Sequence, residues 1–131
     1  MKLLLDGFNT ACKNIAASFL KVGDESMSEI RFRTTVKVNL LHLSYTFRKP
    51  DPLGTKFKTV ACYVTGDLLF IEVQRGKEVM KDSRYQKELG ATASCTKRMM
   101  EATKGIDQKS KKGGPTDCFL FDSWSAQKKA A

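Results

Sequence analysis

The strongest pattern in the chain is a pair of strand-like runs on either side of residue 66. Residues 57–65 read Phe-Lys-Thr-Val-Ala-Cys-Tyr-Val-Thr, and residues 68–73 read Leu-Leu-Phe-Ile-Glu-Val. Both are rich in β-branched and aromatic residues, and Gly66-Asp67 between them suits a tight turn, so they predict a hairpin. Two more apolar runs flank it at a distance. Phe19, Leu20 and Val22 predict a buried strand that Gly23 ends, with Asp24 and Glu25 at its tip. Cys118-Phe119-Leu120-Phe121 predicts a short, fully apolar strand that stops at Asp122.

Helical spacing is found in two places. Leu4, Leu5, Phe8, Ala11 and Cys12 fall on one face of a helix over residues 3–12. Ala93, Thr96, Met99, Met100 and Thr103 do the same over residues 92–103, with Gly105 placed to end the helix. Residues 30–45 show no steady period and predict an irregular segment with a short strand near 41–45. Residues 48–54 contain Pro50, Pro52 and Gly54 and predict a turn-forming loop. Residues 78–90 are polar and mixed, and predict a loop with some helical turns.

The order is strand, hairpin, helix, strand. An α/β fold with a mixed sheet is expected, in which the helix carries the chain across to a strand parallel to the first. At 131 residues the chain is of single-domain size. The cysteines, Cys12, Cys62, Cys95 and Cys118, form no Cys-x-x-Cys, and His42 is the sole histidine. That spacing does not suggest zinc; four free thiols, mostly small core residues, are expected. No apolar run reaches the roughly 20 residues of a membrane span, and Asp6 cuts short the apolar start at Leu3-Leu4-Leu5. An intracellular protein with no membrane partner is expected.

Charge changes the picture. The net charge is +9, which favours polyanionic partners, nucleic acid first. Seven basic residues against one acid, Asp51, lie between Arg31 and Lys58. The basic set Arg31, Arg33, Lys37, Arg48, Lys49, Lys56 and Lys58 is therefore the candidate for phosphate contact, with a solvated basic loop as the alternative. Phe32, Tyr45 and Phe47 among them are read as packing residues rather than base-stacking ones.

Two apolar strands that each run into an aspartate carry the candidate chemistry. Laid side by side and parallel, they bring Asp24 and Asp122 together. Two such carboxylates repel unless a divalent cation bridges them. A bridged pair is the core of a two-metal phosphoryl-transfer site, the arrangement of ribonuclease H-like nucleases and DDE/D transposases. The same residues also suit a plain strand followed by an acidic turn.

The ordered motifs resemble the piggyBac transposase family, in the form of its transposable element-derived proteins. They are Asp24-Glu25-Ser26-Met27-Ser28, then Arg48-Lys49-Pro50-Asp51-Pro52-Leu53-Gly54-Thr55-Lys56-Phe57-Lys58, then Val64-Thr65-Gly66. Gln74-Arg75-Gly76-Lys77-Glu78, Glu88-Leu89-Gly90-Ala91-Thr92 and Asp122-Ser123-Trp124 follow in order, and Asp6-Gly7-Phe8-Asn9 matches upstream. Ser125 stands where the family commonly has an aromatic residue.

The resemblance implies that residues 1–131 are the N-terminal part of a catalytic domain, cut before a third catalytic aspartate. It implies an incomplete ribonuclease H-like fold with a hairpin, one crossover helix and a parallel strand. Asp24 and Asp122 become the first two catalytic aspartates and magnesium ligands. With two carboxylates of three, magnesium should be held weakly and no transposition is expected from this chain alone. The implied function is residual, non-specific DNA binding in a nuclear or otherwise intracellular protein. Self-association through an exposed edge of the last strand is also expected. Two alternatives stand beside it: a metal-dependent strand-transfer or nuclease enzyme completed by a partner chain, and a non-catalytic protein-interaction module.

Overall fold

The computed structural model describes residues 2–15, 17–29, 42–104, 106 and 117–121. The elements run α1 (Lys2–Cys12), β1 (Leu20–Glu29), β2 (Ser44–Tyr45), β3 (Leu53–Cys62), β4 (Leu68–Val73), α2 (Lys77–Met80), α3 (Gln86–Thr103) and β5 (Cys118–Phe121).

The hairpin forms as the alternation requires. β3 and β4 pair antiparallel from Phe57 opposite Val73 to Val60 opposite Phe70, with an irregularity between Val60 and Ala61. Gly66 takes φ 76° at the turn, which a side chain would strain. β3 also pairs antiparallel with β1 along nearly its whole length, and two-residue β2 joins β3 at Gly54 and Leu53. β5 lies on the far side of β1 and runs parallel to it, with Leu20 opposite Cys118 and Gly23 opposite Phe121. The fold is α/β, with the mixed sheet of an incomplete ribonuclease H-like arrangement.

β1 differs from its expected form. It does not end at Gly23 but continues through Asp24 and Glu25 to Glu29. β3 dictates this, offering a partner to every residue as far as Gly54 opposite Glu29. Backbone pairing thus overrides the poor strand propensity of Asp24-Glu25-Ser26. Gly23 has another role. A Cβ there would lie 2.1 Å from Phe121 Cε1, so the missing side chain makes room for the Phe121 ring. Gly54 similarly lets β3 approach β1, since a Cβ would meet the Ser28 carbonyl oxygen at 2.3 Å.

α3 is longer than its periodic stretch. It starts at Gln86 and bends at Gly90, where φ is 78° and ψ 177°. Its buried side, Cys95 and Met99, packs on Val60 of β3, with Phe70 and Phe121 closing the cluster. Met99 is fully buried, which is worth about 1.5–3 kcal/mol for a side chain of that size. Met100, assigned to the same face by spacing, is partly exposed. A second cluster joins Ala17, Cys62 and Leu69, with Ile15 and Ile106 against it.

α1 lies beside β4 but turns its helix differently from the expected apolar face. Leu4 and Ala11 are exposed, while Leu5, Phe8 and Asn9 are half-buried and Cys12 buried. The reason is polar. The Asn9 amide donates to the Ile71 carbonyl at 2.9 Å and accepts the Ile71 N–H at 2.9 Å. The Cys12 thiol reaches the Leu68 carbonyl oxygen at 3.3 Å. The outer edge of β4 is therefore satisfied by a helix.

Phe19, Tyr45 and Phe47 are exposed rather than packed. Phe19 precedes β1, and Phe47 lies in the turn after β2. All four cysteines are free, three of them buried, with Cys118 exposed. Among the described residues no helix is long and apolar enough to cross a membrane.

Candidate functional site

Alternation along β1 divides the candidate residues between two faces of the sheet. Lys21, Gly23 and Glu25 point to one face; Val22, Asp24 and Ser26 point to the other. Gly23 meets the Phe121 ring, which packs with Cys95 and Met99 of α3. The α3 side is thus the face of Lys21 and Glu25. On the opposite face Asp24, Ser26 and Leu120 are exposed.

Asp24 sits mid-strand on this open face, not at a strand tip. Its Oδ1 accepts the Glu25 N–H at 2.7 Å, and its backbone carbonyl accepts the Thr59 hydroxyl at 3.4 Å. No cationic side chain among the described residues pairs with the carboxylate. Asp122, Arg31, Arg33 and Lys37 lie outside the described residues. So does Phe32.

The covered face holds a linked set of charges. Lys58 of β3 stands opposite Glu25 of β1 and opposite Glu72 of β4. The Lys58 ammonium pairs with Glu25 Oε2, and Lys56 approaches Glu25 Oε1 at 3.4 Å. Arg98 of α3 donates twice to Glu72, at 2.6 and 3.0 Å, the fork-to-carboxylate geometry that an arginine favours. Burial alone would raise the Glu25 carboxyl, but the hydrogen bond and charge of Lys58, with Lys56, hold it below its ordinary value. Burial, with Glu72 nearby, pushes the Cys95 thiol up to about 12. That thiol is a packing group and not a nucleophile at neutral pH.

The described members of the basic set differ in exposure. Arg48 and Lys49 are exposed in the turn after β2. Lys58 is buried and Lys56 half-buried within the charge set. Residues outside the expected set also matter. Lys21 is fully buried and pairs with Asp117 at 2.8 Å, with its ammonium 5.5 Å from the Phe119 ring centre. This pair fastens the start of β5 to β1. Its one trace in the sequence is a lysine that interrupts the apolar run from Phe19 to Val22.

The described residues contain no group of three His, Cys, Asp or Glu side chains that could hold a metal ion. Asp24 fits as a single oxygen ligand, because its carboxylate is exposed and unclaimed by a cation; the described residues do not complete a ligand set around it.

No family model matches the chain, and no curated protein matches it by sequence. The fold does match a solved structure, the cryo-EM structure of the piggyBac transposase synaptic complex with hairpin DNA. The TM-score is 0.61 at 16% identity, over 79% of this chain and 20% of that one. The likeness is one of fold. The chain spans about one fifth of the transposase chain it matches.

Proposed function

We propose that the chain is a transposase-type domain segment that binds DNA phosphates without sequence preference and holds magnesium weakly through Asp24 and Asp122. The observation that carries this reading is the parallel pairing of β1 and β5. Gly23 stands opposite Phe121, Asp24 follows Gly23, and Asp122 follows Phe121. A strand continued by one residue would set the two aspartates abreast. Alternation would also put both on the face away from α3. The fold likeness to a transposase complex that contains DNA supports the same reading.

In this proposal the two carboxylates serve as ligands and do not act on a proton. A bound magnesium would supply charge neutralisation for a phosphate beside them. A third carboxylate, which an active DDE/D site requires, has no assigned counterpart in the chain, so strand transfer is not part of the proposal. Arg48 and Lys49, exposed in a proline-held turn, supply phosphate contacts, with Arg31, Arg33 and Lys37 added from the same basic segment. Lys56 and Lys58 contribute from the charge set. A nuclear setting follows from a DNA partner, and self-association is assigned to the margin of β5 that no described strand pairs.

The test is binding to unrelated DNA duplexes by fluorescence anisotropy at two salt concentrations. Between 50 and 200 mM salt, each phosphate contact predicts roughly a 3.5-fold loss of affinity, so all seven together predict a loss above about 10³-fold. Binding that ignores salt, or no binding, overturns the reading in favour of a protein-interaction module. Magnesium-dependent nicking abolished by Asp24→Asn would replace it with the enzymatic one.

A further inference from the structure

We infer that the cavity between the sheet and the α2–α3 segment is a binding site for a ligand bearing several phosphate charges. The cavity measures about 600 Å³, within the range of small-ligand sites. Six cationic side chains line it, Lys56, Lys58, Arg75, Lys77, Lys81 and Arg98, against two carboxylates, Glu25 and Glu72. Both carboxylates are already engaged, Glu25 by Lys58 and Lys56 and Glu72 by Arg98. They leave the positive excess of the cavity uncancelled.

Arg75 and Lys77 supply much of that excess. They flank Gly76 where the chain leaves β4 and enters α2, and among the described residues neither has an acidic partner. Lys81 pairs only with Glu78, in an exposed contact that solvent screens and that an incoming anion can displace. Met80, Ala91 and Cys95 complete the wall. A concave wall with apolar patches and a cation excess focuses positive potential inside it. A guanidinium beside two ammonium groups matches the oxygens of a di- or triphosphate better than those of a single carboxylate.

The site is distinct from the acidic one. Glu25 lines the cavity, and Asp24 beside it in the same strand points to the opposite face. The phosphates could belong to a free nucleoside triphosphate or to successive positions of a nucleic-acid strand, and the chemistry of capture is the same for both.

The experiment is calorimetric titration of the full chain with inorganic tripolyphosphate. Saturable, one-to-one binding is expected. Arg75→Ala and Lys77→Ala should each weaken it about tenfold, as expected for one lost charge-assisted hydrogen bond. Both side chains are exposed, so folding should be retained, as a thermal melt would verify. Lys13→Ala, an exposed lysine outside the cavity, should leave the affinity unchanged. Absence of saturable binding, or equal weakening by Lys13→Ala, overturns the inference, because net charge alone then accounts for the attraction. Competition by a nucleoside triphosphate or by a single-stranded oligonucleotide, each sensitive to Arg75→Ala, supports it and identifies the source of the phosphates. Asp24→Asn should not alter tripolyphosphate binding, so the fate of this inference is separable from that of the acidic pair.

Discussion

Asp24 and Glu25 are adjacent carboxylates with opposite surroundings. Glu25 faces α3, loses water and is held by two lysines. Asp24 faces away from α3, keeps water, and among the described residues its carboxylate accepts only the Glu25 N–H. One peptide bond separates the residue with a structural charge from the residue with an available one. A charge that the fold has already paired stabilises that fold; one that the fold leaves unpaired on an exposed strand face can take an external partner.

The largest expected effect lies on the covered face. Lys21→Ala removes a fully buried ammonium from its ion pair with Asp117 and should cost about 3–5 kcal/mol, read by urea denaturation. A loss below 1 kcal/mol would mean that the buried pair does not fasten β5 to β1.

Next comes Gly23→Ala. The new methyl collides with the Phe121 ring, and overpacking of this kind costs about 1–3 kcal/mol. Phe121→Leu should restore part of the loss in the double variant, which a double-mutant cycle measures.

Glu25 gives a pH signature. Its carboxyl is held below 4.5 in the folded chain, so its stabilising contribution is complete above the unfolded value and falls away as pH drops through the folded one. Glu25→Gln should flatten the acid limb of stability below about pH 4.5; melting temperatures across that range provide the measurement. An unchanged limb would show that Glu25 is no better paired than Asp24.

The smallest effect is expected on the open face. Asp24→Asn should change stability by no more than about 0.5 kcal/mol while reducing magnesium affinity, measured by calorimetry. A large destabilisation would make Asp24 a structural residue and erase the contrast with its neighbour.

How much of this was legible beforehand depended on whether local pattern or distant pairing decided the outcome. The β3–β4 hairpin could be read directly because alternation, β-branched residues and Gly66 all agree. The apolar run of β5 was equally plain. β1 was half legible: its apolar start is obvious, but its polar second half is a strand only because β3 pairs with it. α3 begins among polar residues and bends at Gly90, so its first turns left no periodic signal. In the candidate site, Asp24 was visible as an acid after an apolar run. The pairing of Lys58 and Lys56 with Glu25 was not, because no local rule brings residues 33 and 31 positions apart into contact. Composition does not say whether a basic residue already has a partner; register alone reveals that Lys58 faces Glu25.

Asn9 has a consequence for how this sheet can grow. Its side-chain amide copies a peptide group, offering Ile71 both the donor and the acceptor that a neighbouring strand would bring. An incoming chain at that margin would have to evict a helix before forming its first rung. Accretion of further strands, from this molecule or another, is thereby steered to the β5 side, so α1 acts as a stopper that gives the sheet a direction.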